Sequence, residues 1–103
     1  MNRPKNLANY TFIKQTQMLG TGHAVKIAQP RITDDYFIVI FSDCIYPPQM
    51  FNQMIEQFNK NPQPILACHQ VPKEEVYKYG IVSTNDQNQV QDFVEKPTVE
   101  EAP

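Results

Sequence analysis

Tyr36-Phe37-Ile38-Val39-Ile40-Phe41-Ser42-Asp43 decides the fold class of this chain. Residues 36–41 are continuously apolar and rich in β-branched and aromatic side chains. A run without alternation has no solvent face, so it reads as a central strand covered by helices on both sides of a sheet. The run stops at Ser42-Asp43, which places a carboxylate just past the strand's C-terminal end. That is the rim where open α/β sheets hold their ligands.

Outward from this run, strands and helices alternate. Residues 10–15 predict a strand and 22–29 a helix ended by Pro30, which cannot continue the hydrogen-bond ladder. Pro47 and Pro48 precede Met50, Phe51, Met54, Ile55 and Phe58, which recur at helical spacing over residues 49–60. Asn59 to Pro64 breaks that helix, and residues 64–71 form another apolar strand pattern. Strand, helix, strand, helix, strand with short links predicts an α/β fold of three parallel strands and right-handed crossover helices. Lys73, Glu74 and Glu75 then mark an exposed turn. Residues 81–84 and 90–94, separated by Asn85-Asp86-Gln87-Asn88, predict an antiparallel hairpin. The acidic, proline-bounded segment from Pro97 to Pro103 is expected to be mobile.

Composition bounds the function. A chain of 103 residues is one domain at most, and 41% hydrophobic content permits a packed core. A net charge of −2 and nine scattered Lys and Arg form no basic patch, which argues against nucleic-acid binding. No apolar run approaches the ~20 residues that span a bilayer. The polar N-terminus lacks the apolar core of a secretory signal, so a cytoplasmic location without membrane association is expected. Cys44 and Cys68 are too few and too far apart for a zinc cluster, and read as free buried thiols. His23 and His69 have no partners at metal or triad spacing. His23 is expected to pack or hydrogen-bond the turn it follows, and His69 to be a satisfied core histidine.

Several positions could carry chemistry. Gly20-Thr21-Gly22 lies between a strand and a helix start, where unpaired main-chain N–H groups favour hydrogen-bond-accepting or anionic ligands. The same turn can also be a plain strand-to-helix connection. Asp43 can hold Mg²⁺ that grips phosphate oxygens, or it can cap the turn after its strand. Gly80 opens a strand, as an ordinary turn glycine or as a place where a substrate presses on main chain. Glu95 and Lys96 are either solvated rim charges or the acceptor for sugar hydroxyls and the cation for a phosphate.

The order of these motifs is more specific than any one of them. Gln15 followed by Gly20-x-Gly22-His23-Ala24, then Phe37 to Asp43, then Val71-Pro72-Lys73-Glu74-Glu75-Val76-x-x-Tyr79-Gly80-Ile81-Val82, then Phe93-Val94-Glu95-Lys96-Pro97 resembles the middle of the bacterial UTP–glucose-1-phosphate uridylyltransferases. The resemblance covers nearly the whole chain and extends to Glu100-Glu101-Ala102-Pro103. Tyr-Gly-Ile-Val and Val-Glu-Lys-Pro are shared with related sugar nucleotidyltransferases, including those that use dTTP. The Gln-x4-Gly-x-Gly-His-Ala segment points to the uridylyl enzymes. The resemblance implies a Rossmann-like nucleotide-diphospho-sugar transferase fold, here as a single partial domain over residues 1–103. It implies uracil contacts from Gln15 and Gly20, with Gly22 in the same nucleotide-binding turn. It further implies Asp43 as the Mg²⁺ ligand and a catalytic group, Gly80 and Glu95 on the glucose hydroxyls, and Lys96 as the catalytic cation at the sugar phosphate. The substrates would be UTP and glucose 1-phosphate, giving UDP-glucose.

The chain also departs from that family. Nothing among these residues matches the family's N-terminal Gly-rich loop with Arg and Lys, nor its downstream second Mg²⁺-binding Asp. Cys44 stands where many members have an acidic or aliphatic residue, and Ser42 replaces the usual Pro. A central piece would leave a sheet edge exposed, so a homo-oligomer is expected and the chain alone is expected to be inactive. The contrasting expectation is a non-catalytic binding or oligomerising remnant of the same fold, or a transferase using dTTP or CTP.

Overall fold

Gly20 starts the first helix, α1, Thr21–Ala28, from a backbone position with φ 104° and ψ 179° that L side chains rarely adopt. In this computed structural model residues 8–103 are described, so the polar N-terminal segment lies outside the described residues. The chain divides into two units, Met1–Ile45 and Tyr46–Pro103.

In the first unit the Ala24 N–H donates to the Gly20 carbonyl at 3.2 Å, closing the first turn of α1. Pro30 has no N–H to extend the α ladder, and the chain tightens into a 3₁₀ turn over Gln29–Arg31. Ile32 N–H closes that turn on the Gln29 carbonyl at 3.1 Å. The helix expected over 22–29 therefore stands within one residue at each end.

The second unit opens with α2, Pro48–Lys60. Pro47 is extended at φ −60° and ψ 134°, and Pro48 occupies the first helical position, where its missing N–H costs no bond. Asn61 ends α2 at φ −149°, its N–H donating to Gln57 at 3.0 Å. Met50, Phe51, Met54 and Phe58 are half-buried, and no residue of α2 is buried.

A 3₁₀ helix over Lys73–Lys78 follows where the sequence predicts only an exposed turn. Pro72 sets its entry, Glu75 N–H donates to the Pro72 carbonyl at 2.9 Å, and Lys78 pairs with Glu75 at 3.0 Å. It lies beside β1, Gly80–Thr84, which pairs antiparallel with β2, Val90–Glu95. The predicted hairpin is present, in register from Gly80↔Glu95 to Ser83↔Asp92, with an irregularity at Ser83/Thr84. Asn85 builds its turn: its side-chain oxygen accepts from the N–H groups of Gln87 at 3.0 Å and Gln89 at 2.9 Å. Asn88 takes the left-handed conformation, φ 58°. Val76, 6% exposed, and Pro97, under 2%, are the buried side chains of this unit.

The three parallel strands are not present among the described residues, where the paired strands are β1 and β2 alone. Residues 36–41 are exposed throughout, Phe37 at 56%, and residues 10–15 and 64–71 likewise lack strand pairing. The physical reason is that a ladder is not a local property. A strand needs a neighbour for its N–H and C=O groups, and an all-apolar strand needs cover on both faces. The same lack of cover corrects two smaller expectations. Cys44 and Cys68 are free but exposed, and His69 is exposed rather than in a core.

The C-terminal segment is ordered by a capping box where mobility was expected. Thr98 N–H donates to Glu101 Oε2 at 2.9 Å, and Glu101 N–H donates to Thr98 Oγ1 at 3.3 Å. Ala102 N–H adds a bond to the Thr98 carbonyl at 3.0 Å. The Thr98 backbone N–H, then its hydroxyl, hold the Glu101 carboxyl below its ordinary range. A lowered folded value means that the bonds persist above the unfolded value and are lost as pH falls through the folded one. In an NMR titration the Thr98 amide is therefore expected to lose its protection at a pH below the ordinary glutamate range.

Candidate functional site

In the first unit the residues nearest α1 form a connected cluster. Gln15 Nε2 donates to the Gly20 carbonyl at 3.1 Å and lies 2.9 Å from His23 Nδ1. Gln15 and His23 are both half-buried. Open space surrounds Gly20 and Gly22, where an added Cβ would meet nothing within 4 Å. At Gly20 the constraint is therefore backbone conformation rather than crowding. No acidic residue occupies the first turn of α1, and no side chain caps its start.

Asp43 sits on an exposed turn closed by the Cys44 N–H on the Phe41 carbonyl at 3.3 Å. Cys44 Sγ lies 3.7 Å from Asp43 Oδ1 as a weak donor. Among the described residues no group of three or more His, Cys, Asp or Glu is placed to hold a metal ion. Mg²⁺ commonly takes one or two carboxylates and completes its octahedron with water and substrate phosphates. A single exposed carboxylate suits that mode and not an all-protein cage.

In the second unit Gly80, Glu95 and Lys96 come together at the open end of the hairpin. Gly80 is the register partner of Glu95. A Cβ on Gly80 would fall 2.8 Å from Glu95 Oε2 and 2.8 Å from the Phe93 ring, so a side chain there would have to displace the ends of those two exposed side chains. Lys96 follows in the left-handed region at φ 48°, a strain on the order of 1–2 kcal/mol for an L residue. Its N–H is tied to the Tyr79 carbonyl at 2.8 Å, and buried Pro97 anchors the next residue. The Glu95 and Lys96 side chains are exposed. Gly80 also lines an open cavity of about 740 Å³, together with His69, Val71, Val76, Ile81 and Val82, among others. His69 meets the Tyr79 ring edge-on at 6.4 Å.

Sequence reasoning missed two features here. One is the bond from Gln15 to His23, for which a strand-to-helix turn with a polar residue on each side is the available signal. The other is the left-handed Lys96, for which lysine gives no signal.

The nucleotidyl transferase family model matches residues 2–103, and the chain belongs to that family. Among its relatives, the UTP–glucose-1-phosphate uridylyltransferase of Bacillus subtilis is 35% identical over 109 residues, covering 100% of this chain and 37% of the relative. The enzyme of that name from Pseudomonas aeruginosa is 34% identical over 102 residues, 91% of this chain and 37% of its own length. A Staphylococcus saprophyticus relative, UTP–glucose-1-phosphate uridylyltransferase 1, is 34% identical over 104 residues, 95% of this chain and 36% of its own. The chain thus spans little more than a third of the length of the curated relatives it matches. No solved structure matches it. No described helix is long and apolar enough to cross a membrane.

Proposed function

We propose that this chain is the central part of a UTP–glucose-1-phosphate uridylyltransferase, carrying its base-binding turn and its sugar-binding hairpin. The observation that supports this most is the match of 91–100% of this chain to 37% of the length of relatives of that name. Both units then belong to one nucleotidyltransferase domain. In it, residues 10–15, 36–41 and 64–71 pair as parallel strands with α1 and α2 as crossovers. Their exposed apolar side chains support this reading.

The reaction joins two charged substrates. A phosphate oxygen of glucose 1-phosphate attacks the α-phosphorus of UTP, the α–β phosphoanhydride bond breaks, and pyrophosphate leaves with the electron pair. Such chemistry is catalysed mainly by positioning and charge neutralisation. Gln15 and Gly20 hold the uracil, with Gly22 leaving the turn open to the nucleotide. Glu95 accepts hydrogen bonds from glucose hydroxyls that lie against Gly80, and Lys96 neutralises the sugar phosphate. Asp43 supplies one oxygen ligand to Mg²⁺. An ion held there would supply charge neutralisation to the substrate phosphates. The fixed backbone of Lys96 supports its role, because strain held by surrounding bonds is common where a side chain must be presented in one direction.

Thermal melting with nucleotides tests this reading on the chain itself. UTP and UDP-glucose are expected to raise the melting temperature, by mass action on the folded state, and CTP is not. Stabilisation by dTTP without UTP would overturn the base assignment. No pyrophosphate release is expected from these 103 residues, whose three glycines include no Gly-rich loop to grip the triphosphate. Turnover by the chain that disappears with Asp43→Asn would contradict that expectation.

A further inference from the structure

The cluster at the start of α1 fixes which end of the Gln15 amide faces outward. The Gly20 carbonyl can only accept, so the atom 3.1 Å from it must be the amide nitrogen of Gln15. That same nitrogen lies 2.9 Å from His23 Nδ1 and has one hydrogen left to give. His23 Nδ1 must therefore accept, which places the imidazole proton on Nε2. Both amide hydrogens are then committed to the protein. Gln15 Oε1, on the other side of the amide, has no protein partner among the described residues. Flipping the amide would set two acceptors against each other at Gly20, so the carbonyl there sets which end of the amide points inward, and His23 in its Nε2–H tautomer adds the second bond that holds it.

From this we infer that His23 is a positioning residue for base selection: by accepting the second amide hydrogen of Gln15, it holds the amide in the orientation that the Gly20 carbonyl sets, with its own carbonyl outward as a hydrogen-bond acceptor. The inference rests on the base-binding role proposed above for Gln15. The ligand it fits is a pyrimidine with a protonated N3, as in uracil or thymine. N3–H donates to Oε1, and an N–H at the Gly20 turn serves a flanking carbonyl. Cytosine presents a lone pair at N3, which would face Oε1 as acceptor against acceptor. His23 does not touch the base in this arrangement. It selects through Gln15, and an asparagine can replace it, because Asn Oδ1 occupies nearly the position of His Nδ1.

Two measurements on the full chain test the assignment. ¹⁵N NMR of the imidazole reads the tautomer without any nucleotide present. An unprotonated, accepting Nδ1 is expected, and an Nδ1–H tautomer would overturn the inference. Titration with UMP and CMP then reads selectivity. Wild type is expected to favour UMP by about tenfold, the scale of one mismatched polar contact. His23→Leu should lower that ratio about fivefold, the worth of one neutral hydrogen bond. His23→Asn should restore it, which a merely structural role for the imidazole would not do. An unchanged ratio in His23→Leu overturns the role of His23 and leaves the base site standing. Failure of wild type to bind either nucleotide overturns the base-site reading, and this inference with it.

Discussion

Val76→Asp is expected to abolish the amide protection of the hairpin and the turn before it. Val76 is 6% exposed, on the 3₁₀ helix that lies beside β1. A buried charge costs several kcal/mol unless it is paired, or it neutralises by binding a proton. The second unit has little to offset that cost, since Val76 and Pro97 are its buried side chains. Val76→Ala removes two methyl groups and should cost about 1.5 kcal/mol, leaving the hairpin formed. The aspartate variant should regain protection as pH falls. Burial raises the folded value of its carboxyl, so protonation relieves the cost below that value. Hydrogen exchange at Ile81 and Val94, which face each other as a bonded pair, checks both variants. An aspartate variant as protected as wild type at neutral pH would show that Val76 does not hold this unit together. With the sugar-binding role proposed for Gly80 and Glu95, loss of the hairpin should also remove binding of glucose 1-phosphate, because strand pairing is what sets the two residues opposite each other.

The elements legible in the sequence are those whose hydrogen bonds close within a few residues. Helix α1 could be placed from Gly20 and Pro30, and α2 from the Pro47-Pro48 entry and its apolar spacing. The hairpin could be placed because Asn85 carries the chemistry of its own turn. The 3₁₀ helix over Lys73–Lys78 was not legible as such, since one or two tight turns give no apolar period. Its Pro72 entry and Glu75–Lys78 pair were the only local traces. The parallel sheet is the opposite case. Phe37 to Phe41 state a need for neighbours on two edges and two faces, but no property of those residues supplies the neighbours. The candidate site divides along the same line. Gly20, Gln15 and His23 meet through one turn, and Gly80 meets Glu95 through one register. Asp43 was found by its place after a strand pattern, and its exposed turn adds no further ligand.

Completing the sheet should turn on the chemistry, and a chimera tests both at once. If residues 1–103 replace the matched segment of the Bacillus subtilis relative, the chain receives the other part of a homologous domain at 35% identity. UDP-glucose formation is expected from the chimera. Residues 36–41 should pass from fast to slow hydrogen exchange, because buried parallel pairing would cover side chains now about half exposed. Asp43→Asn in the chimera should lower kcat by about 10²–10³, the usual scale for losing one charge that meets a transferring phosphoryl group. Lys96→Met should lower kcat/KM for glucose 1-phosphate by a similar factor, since the proposed role of the cation is to meet that substrate's phosphate. The two readouts separate fold from site. A chimera that protects residues 36–41 but turns over equally well with Asp43→Asn would retain the proposed sheet and remove Asp43 from the mechanism. One that leaves those residues in fast exchange would show that their apolar faces belong to some assembly other than this sheet. The decisive quantity is therefore protection at Ile38 and Ile40 measured alongside rate, since either one alone can be explained by the other's failure.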